Sequence, residues 1–187
     1  MRKLIDTIVE EMENVLSNVK EEEAISFSNY LKRVNRIFVY GEGRSGFMAK
    51  AFAMRLMHSG YHVYVIGETI TPSIEKGDVL IAITGSGETD TIYQFALKAK
   101  KIEAKVGVVT TNESSKIARI SDFILKIPAA TKYRRPEEPD TIQPLGNQFD
   151  QAVHLLLDAI IIYLLQSETS LNADLNDELR KRHTNLE

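Results

Sequence analysis

The chain has no cysteine and no tryptophan among its 187 residues, and only four histidines. Without cysteine there can be no disulfide, no thiolate metal site and no thiol nucleophile. No pair among His58, His62, His154 and His183 has metal-ligand spacing on a helix, so no metal is expected. Proline is also scarce: of five, four (Pro128, Pro136, Pro139, Pro144) crowd into one stretch. No run approaches the roughly 20 apolar residues needed to span a bilayer. Met1-Arg2-Lys3 leads into an acidic amphipathic segment rather than a signal core, so no membrane is expected and the cytoplasm is the expected location. Lys and Arg number 23 against 26 Asp and Glu, a net charge of -3. A near-balance of this kind argues against nucleic acid as the main partner.

What is present fits one domain with a single substantial core. Leu4, Ile5, Ile8, Val9, Met12, Val15, Leu16 and Val19 recur at helical spacing over residues 3–19, and a second helix is predicted over about 21–33. The first helix lies outside the alternation that follows, so it packs on the flank of the domain or against another subunit; the flank is the simpler expectation. The run Glu21-Glu22-Glu23 suits a helix start.

From Ile37 the pattern alternates. Strands are predicted at Ile37–Val39, Val63–Ile66, Val79–Ile83, Val106–Val109 and Phe123–Ile127, with helices at about 45–59, 88–101 and 114–120 between them. Short apolar runs without polar alternation are strands covered on both faces. The expected fold is therefore α/β, a doubly wound five-stranded parallel sheet flanked by helices. The proline-rich stretch Pro128–Gly146 interrupts the pattern and has the length of a lid. A long helix follows over about Asn147–Gln166, then a short one over about Ala173–Lys181. The expected plan is one domain over 1–187: N-terminal helices in 1–34, an α/β core in 36–168, and a C-terminal helix and tail in 169–187.

Two turns carry the chemistry. Tyr40-Gly41-Glu42-Gly43-Arg44-Ser45-Gly46 joins the first strand to its helix, and Thr84-Gly85-Ser86-Gly87-Glu88-Thr89 joins the third. Glycines let the backbone approach a ligand closely, and the first N–H groups of each helix have no partner inside it. In the strand order 2-1-3-4-5 the first and third strands are neighbours, and the crevice at their carboxyl ends is where ligands bind. Gly43, Arg44, Ser45, Thr84, Ser86, Gly87 and Thr89 then face one small volume, suited to an anion. Gly41, Gly43 and Gly46 also satisfy G-x-G-x-x-G, and Gly67-Glu68 falls near the acidic position of a dinucleotide site. A pyrophosphate diester is met mostly by bare backbone. A phosphate monoester carries nearly two charges and rewards hydroxyls and a guanidinium, which favours it here.

Gly41-Glu42-Gly43-Arg44-Ser45-Gly46-Phe47, Ala53-Met54-Arg55-Leu56-Met57-His58, Gly67-Glu68-Thr69-Ile70-Thr71-Pro72 and Gly85-Ser86-Gly87-Glu88-Thr89 resemble the sugar isomerase (SIS) domain and, within it, the 6-phospho-3-hexuloisomerases. Ile142-Gln143-Pro144-Leu145-Gly146, Phe149-Asp150-Gln151 and Arg182-His183-Thr184-Asn185-Leu186 extend the resemblance over nearly the whole chain from about Arg36. It implies metal-free isomerisation of 3-hexulose 6-phosphate to fructose 6-phosphate through an enediol or enediolate, in the ribulose monophosphate pathway. It further implies no organic cofactor and a homotetramer. Many relatives carry Glu where this chain has Asp150, a side chain one methylene shorter.

By match to the family's acidic position, Asp150 is the expected base; its plainer role is a carboxylate stabilising a helix start. A helix dipole would lower its pKa, so burial must offset the dipole if Asp150 is to be a good base. The resemblance raises His183, whose tail would reach a neighbouring subunit's site. His58 is the competing histidine, expected to end its helix beside the same crevice. Arg44 would hold phosphate or the enediolate. Lys132, Arg134 and Arg135 lie on the expected lid, where a basic run is more often solvated than steering substrate. His154 and Asp158 read as polar surface. Two further readings remain open: a sugar-phosphate sensor that binds without reacting, and another aldose–ketose phosphate isomerase.

Overall fold

The unalternating apolar runs become strands buried on both faces. The structure, a computed structural model, describes residues 1–168 and 175–185. Strands β1 (Ile37–Gly41), β2 (Val63–Val65), β3 (Val79–Ile83), β4 (Lys105–Thr110) and β5 (Phe123–Lys126) form one parallel sheet in the order β2-β1-β3-β4-β5. This is the common order on which the convergence of the two turns depended, and it brings β1 and β3 side by side.

Successive strand residues point to opposite faces, and each face meets its own helices. Ile37, Val39, Val79, Ile81, Ile83, Val109 and Leu125 pack with α1 (Arg2–Ser17), α2 (Glu21–Leu31), α3 (Gly43–His58) and α6 (Asn147–Glu168). Phe38, Leu80, Ala82, Val106 and Val108 pack with α4 (Asp90–Lys101) and α5 (Lys116–Ile120) on the other face. The last described helix, α7, is Leu175–Lys181. Ala173, where that helix was expected to begin, and Leu186 of the terminal motif lie outside the described residues.

Expected and observed helix ends differ by one or two residues, as helix ends commonly do. One difference matters. The first glycine turn is shorter than its sequence suggests: only Glu42 separates β1 from α3, so Arg44 and Ser45 belong to the first helical turn.

The N-terminal helices take the flank. Met12 and Val15 of α1 are buried with α6, while Leu4, Ile5 and Val9 remain exposed. Of the acidic run opening α2, Glu23 accepts the N–H of Lys126 at 2.9 Å on edge strand β5 and pairs with Lys20 at 2.9 Å. Helix α6 is long and apolar enough, by length and composition, to cross a membrane. Here Phe149, Val153, Leu157, Ile160 and Leu164 fill the core with it.

Pro128–Gly146 contains no helix or strand, so side chains must satisfy much of its backbone. Glu11 of α1 accepts from Thr141 Oγ1 at 2.6 Å, the Ile142 N–H at 2.8 Å, Gln143 Nε2 at 2.9 Å and Gln148 Nε2 at 3.4 Å. Burial alone would raise the Glu11 carboxyl, but these donors outweigh it and hold the group below its ordinary value. Glu11→Ala should therefore lower stability by about 1–3 kcal/mol, read as a lower urea midpoint at unchanged slope. Because the folded value is depressed, this contribution is present above the ordinary Glu value of about 4.3 and lost as pH falls through the folded one. The gap between wild type and variant should narrow on acidification.

Candidate active site

At the carboxyl ends of β1 and β3 the chain leaves toward opposite faces of the sheet, into α3 and α4, and opens a crevice between them. A cleft of about 210 Å³ lies there, lined by Glu42 and Ser45 of the first turn and by Thr84, Ser86 and Thr89 of the second. Asp150 from α6 lies against it, and Thr131, Lys132, Tyr133, Leu145 and Gly146 form the remaining wall. The two turns that looked convergent in sequence share this one volume.

Backbone contact fixes the first turn. A Cβ on Gly46 would lie 2.6 Å from the Gly41 carbonyl oxygen, so β1 and α3 meet with no room for a side chain. The caps of α3 and α4, Glu42 and Thr89, make no side-chain cap bond, which leaves first-turn N–H groups directed at the cleft. In the second turn, Thr84 Oγ1 accepts the Gly87 N–H at 3.2 Å, and Ser86 Oγ accepts the Glu88 N–H at 3.2 Å. Thr84 and Thr89 hydroxyls lie 3.5 Å apart. A hydroxyl oxygen that already accepts a backbone proton keeps its own proton to donate, which is what an anion requires.

Gly87 adopts a φ of +67°, and a Cβ there would fall 2.0 Å from Ser115 Oγ. Ser115 in turn caps α5 by accepting the Ala118 N–H. Gly87 thus shapes the turn without lining the cleft itself. Gly43, at φ +58°, does the same for the first turn and leaves open space above it.

Asp150 is turned inward and only 5% exposed. Its Oδ1 accepts from Ser45 Oγ at 2.8 Å, and its Oδ2 lies 3.5 Å from Arg44 Nε. Burial pushes the carboxyl above the ordinary Asp value, against the opposing pull of Ser45 and Arg44. The offset that a base at a helix start requires is therefore present. Arg44, otherwise exposed, faces Asp150 rather than the second turn, and among the described residues Asp150 is its ion-pair partner.

The histidines lie elsewhere. His58 was expected beside the crevice, but α3 runs back from the carboxyl end of β1, and His58 is its last residue. Thirteen residues from Ser45 at about 1.5 Å each place it about 20 Å away, at the other end of the sheet. His183 stacks on it at 5.2 Å between ring centroids, and Arg182 Nη1 donates to the His58 carbonyl at 3.2 Å. Burial, then His183 and Arg55, lower the His58 pKa. Neither histidine reaches this chain's own cleft.

The basic run divides. Lys132 lines the cleft, Arg135 pairs with Glu138 at 3.6 Å, and Arg134, exposed as expected, also bonds its guanidinium to backbone. His154 and Asp158 form an exposed pair at 3.6 Å, as read from sequence. Sequence reasoning passed over Glu42 and Phe149 as cleft residues, and Thr131 and Tyr133 altogether. Phe149 was findable as the neighbour of Asp150, one position around the same helix.

A family model described as the SIS domain matches residues 30–138. The chain belongs to the SIS domain family. Within that family it is similar to a Bacillus subtilis protein named 3-hexulose-6-phosphate isomerase, 37% identical over 180 residues covering 96% of this chain and 95% of that one. A Methylomonas aminofaciens protein of the same name is 32% identical over 188 residues, covering 100% of each chain. A crystal structure from Methanococcus jannaschii, with an inferred molecular function of 3-hexulose-6-phosphate isomerase, superposes with a TM-score of 0.82 at 30% identity, covering 97% of this chain and 98% of that one. The SIS match holds both glycine turns, whereas Asp150 lies beyond it, on the helix that completes the cleft.

Gly87→Ala tests whether the second turn binds anions. The added methyl has no room and strains the backbone, so affinity for inorganic phosphate, measured by calorimetry, should fall at least about tenfold. Unchanged affinity would remove this turn from anion binding.

Proposed function

We propose that this SIS protein interconverts 3-hexulose 6-phosphate, the compound in its relatives' names, and fructose 6-phosphate, and so acts in the ribulose monophosphate pathway. The observation that carries the reading is the buried Asp150 carboxyl, bonded to Ser45 across a cleft whose facing turn presents Thr84, Ser86 and Thr89. A terminal phosphate on that turn places the sugar carbons toward Asp150.

Moving the carbonyl from C3 to C2 requires a proton to leave C2 and another to arrive at C3. Asp150 as carboxylate takes the C2 proton, the electron pair flows into the C2–C3 bond, and charge gathers on O3. Asp150 then returns its proton to C3 as the carbonyl re-forms at C2, while the O2 hydroxyl proton passes to O3. Arg44, beside Asp150, serves the enediolate oxygens better than it serves the phosphate. Raised by burial, the Asp150 carboxyl is a stronger base than an ordinary aspartate.

The exposed apolar residues Leu4, Ile5 and Val9 of α1, and Leu155 and Ile162 of α6, support association between copies, in the tetramer that the resemblance implies. In such an assembly the exposed His183, backed by the buried His58, serves a neighbouring copy's cleft, where an imidazole moves protons between oxygens.

Asp150→Asn should abolish turnover of fructose 6-phosphate, followed by appearance of 3-hexulose 6-phosphate, while binding of fructose 6-phosphate changes little. A near-wild-type rate would remove Asp150 from the mechanism. In the wild type the acid limb of kcat/KM should lie above the ordinary Asp value of about 3.9, because the base works only as carboxylate. Truncation before Arg182 should lower kcat in a protein that still assembles; undiminished turnover would eliminate the histidine tail.

A further inference from the structure

The cleft wall opposite the two turns is irregular chain, yet it carries two non-glycine residues in the left-handed region: Arg134 at φ +48° and Leu145 at φ +52°. They are joined. Arg134 Nη1 donates to the Leu145 carbonyl at 2.8 Å and to the Thr131 carbonyl, and Nη2 donates to the Gln143 carbonyl. One guanidinium thus gathers both ends of the wall, the Thr131 end that carries Lys132 and Tyr133 and the end that passes through Leu145 into α6.

The second end leads directly to the acid. Gly146 follows Leu145, and its carbonyl accepts the Asp150 N–H at 3.1 Å in the first turn of α6. The wall also borders the cleft from which water reaches the Asp150 carboxyl. We propose that Arg134 is a positioning residue: by clasping the carbonyls of Thr131, Gln143 and Leu145 it sets the entry of α6 and keeps Asp150 shielded from solvent. This rests on the isomerase reading only for its catalytic consequence; the shielding itself is a property of the free protein.

A planar fork with five N–H donors suits three carbonyls converging from different directions, which a lysine cannot match. Leu145 is exposed and the bonds to the Thr131 and Gln143 carbonyls are only part-buried, so water takes the place of the guanidinium if it is removed. The wall then loosens while the core beneath it is untouched.

The sign of one titration separates this role from simple loss of charge. Among the described residues, the charged or titratable side chains that pair with Asp150 or share its cleft are Arg44 from α3, Glu42 before it, and Lys132 and Tyr133 on the wall. Removing a cation alone would raise the carboxyl midpoint, because the anion loses attraction. Admitting water to the buried carboxyl lowers it.

The test is a pH titration of the Asp150 carboxyl carbon by NMR, assigned by its absence in Asp150→Asn, in the full chain. In Arg134→Ala the midpoint should fall toward the ordinary Asp value of about 3.9, and millimolar guanidinium should restore it. Arg134→Gln, which can still meet one carbonyl, should move it the same way by less. Arg135→Ala, which removes the pair with Glu138 and the contact of its guanidinium with the Tyr133 ring but no bond to a wall carbonyl, should leave it in place. An unchanged or raised midpoint in Arg134→Ala and Arg134→Gln, or an equal fall in Arg135→Ala, would overturn the proposal. Turnover supplies the second readout: kcat should fall at least tenfold in Arg134→Ala with KM little altered, and should recover with guanidinium. Absence of turnover in the wild type would refute the isomerase reading, whereas the carboxyl midpoint would still decide the role of Arg134.

Discussion

A carboxylate at the start of a helix is pulled in two directions when it is also taken out of water. The amide dipoles and a neighbouring hydroxyl favour its charged form, and the loss of hydration favours its neutral form. At Asp150 burial is the larger influence, despite Ser45 at 2.8 Å and Arg44 at 3.5 Å. The same Ser45 bond ties the first turn of α3, and through it the end of β1, to the first turn of α6. That contact holds the acid in place and pulls its proton affinity against the larger effect of burial.

Parallel topology explains why the anion donors and the acid meet. Only neighbouring parallel strands whose crossovers depart to opposite faces leave a gap at their carboxyl ends, and β1 and β3 are that pair. Helices returning from those strands carry their N-termini to the gap and their C-termini away from it. That geometry admits Ser45 and Thr89 to the cleft and sends His58 to the far end of the sheet. The stacked pair of His58 and His183 therefore cannot exchange protons with a sugar held in the same chain's cleft. Any catalytic use of these imidazoles requires a second copy.

The sheet was legible because strands covered on both faces appear as apolar runs without alternation, and Val79–Ile83, buried at every position, is the clearest instance. Both turns were legible because glycine, serine and threonine cluster where chain must bend and donate. What sequence hid was direction and distance. His58 stands close to the crevice along the chain, yet a helix running antiparallel to its strand carries it about 20 Å off. Glu11 bonds Thr141 across 130 positions, and no local pattern announces such a pair. Arg134 lies in a run of Lys and Arg that reads as solvated surface, because bonds to main-chain carbonyls depend on the fold and have no residue-type signature of their own.

Polar side chains dominate the wall for a physical reason. A stretch without helix or strand leaves its N–H and C=O groups to find other partners, and an apolar lining would strand them. Glu138 takes the N–H and hydroxyl of Thr131, Glu11 takes the N–H of Ile142, Gln148 takes the N–H of Ala130, and Arg134 supplies protons to three carbonyls. Left-handed residues cost about 1–2 kcal/mol each, so Arg134 and Leu145 hold that conformation because these bonds offset it. Irregular chain stitched in this way borders the cleft with much of its backbone satisfied by side chains. Several of these partners are charged, so the bonding depends on the ionisation of Glu11 as well as on the guanidinium of Arg134.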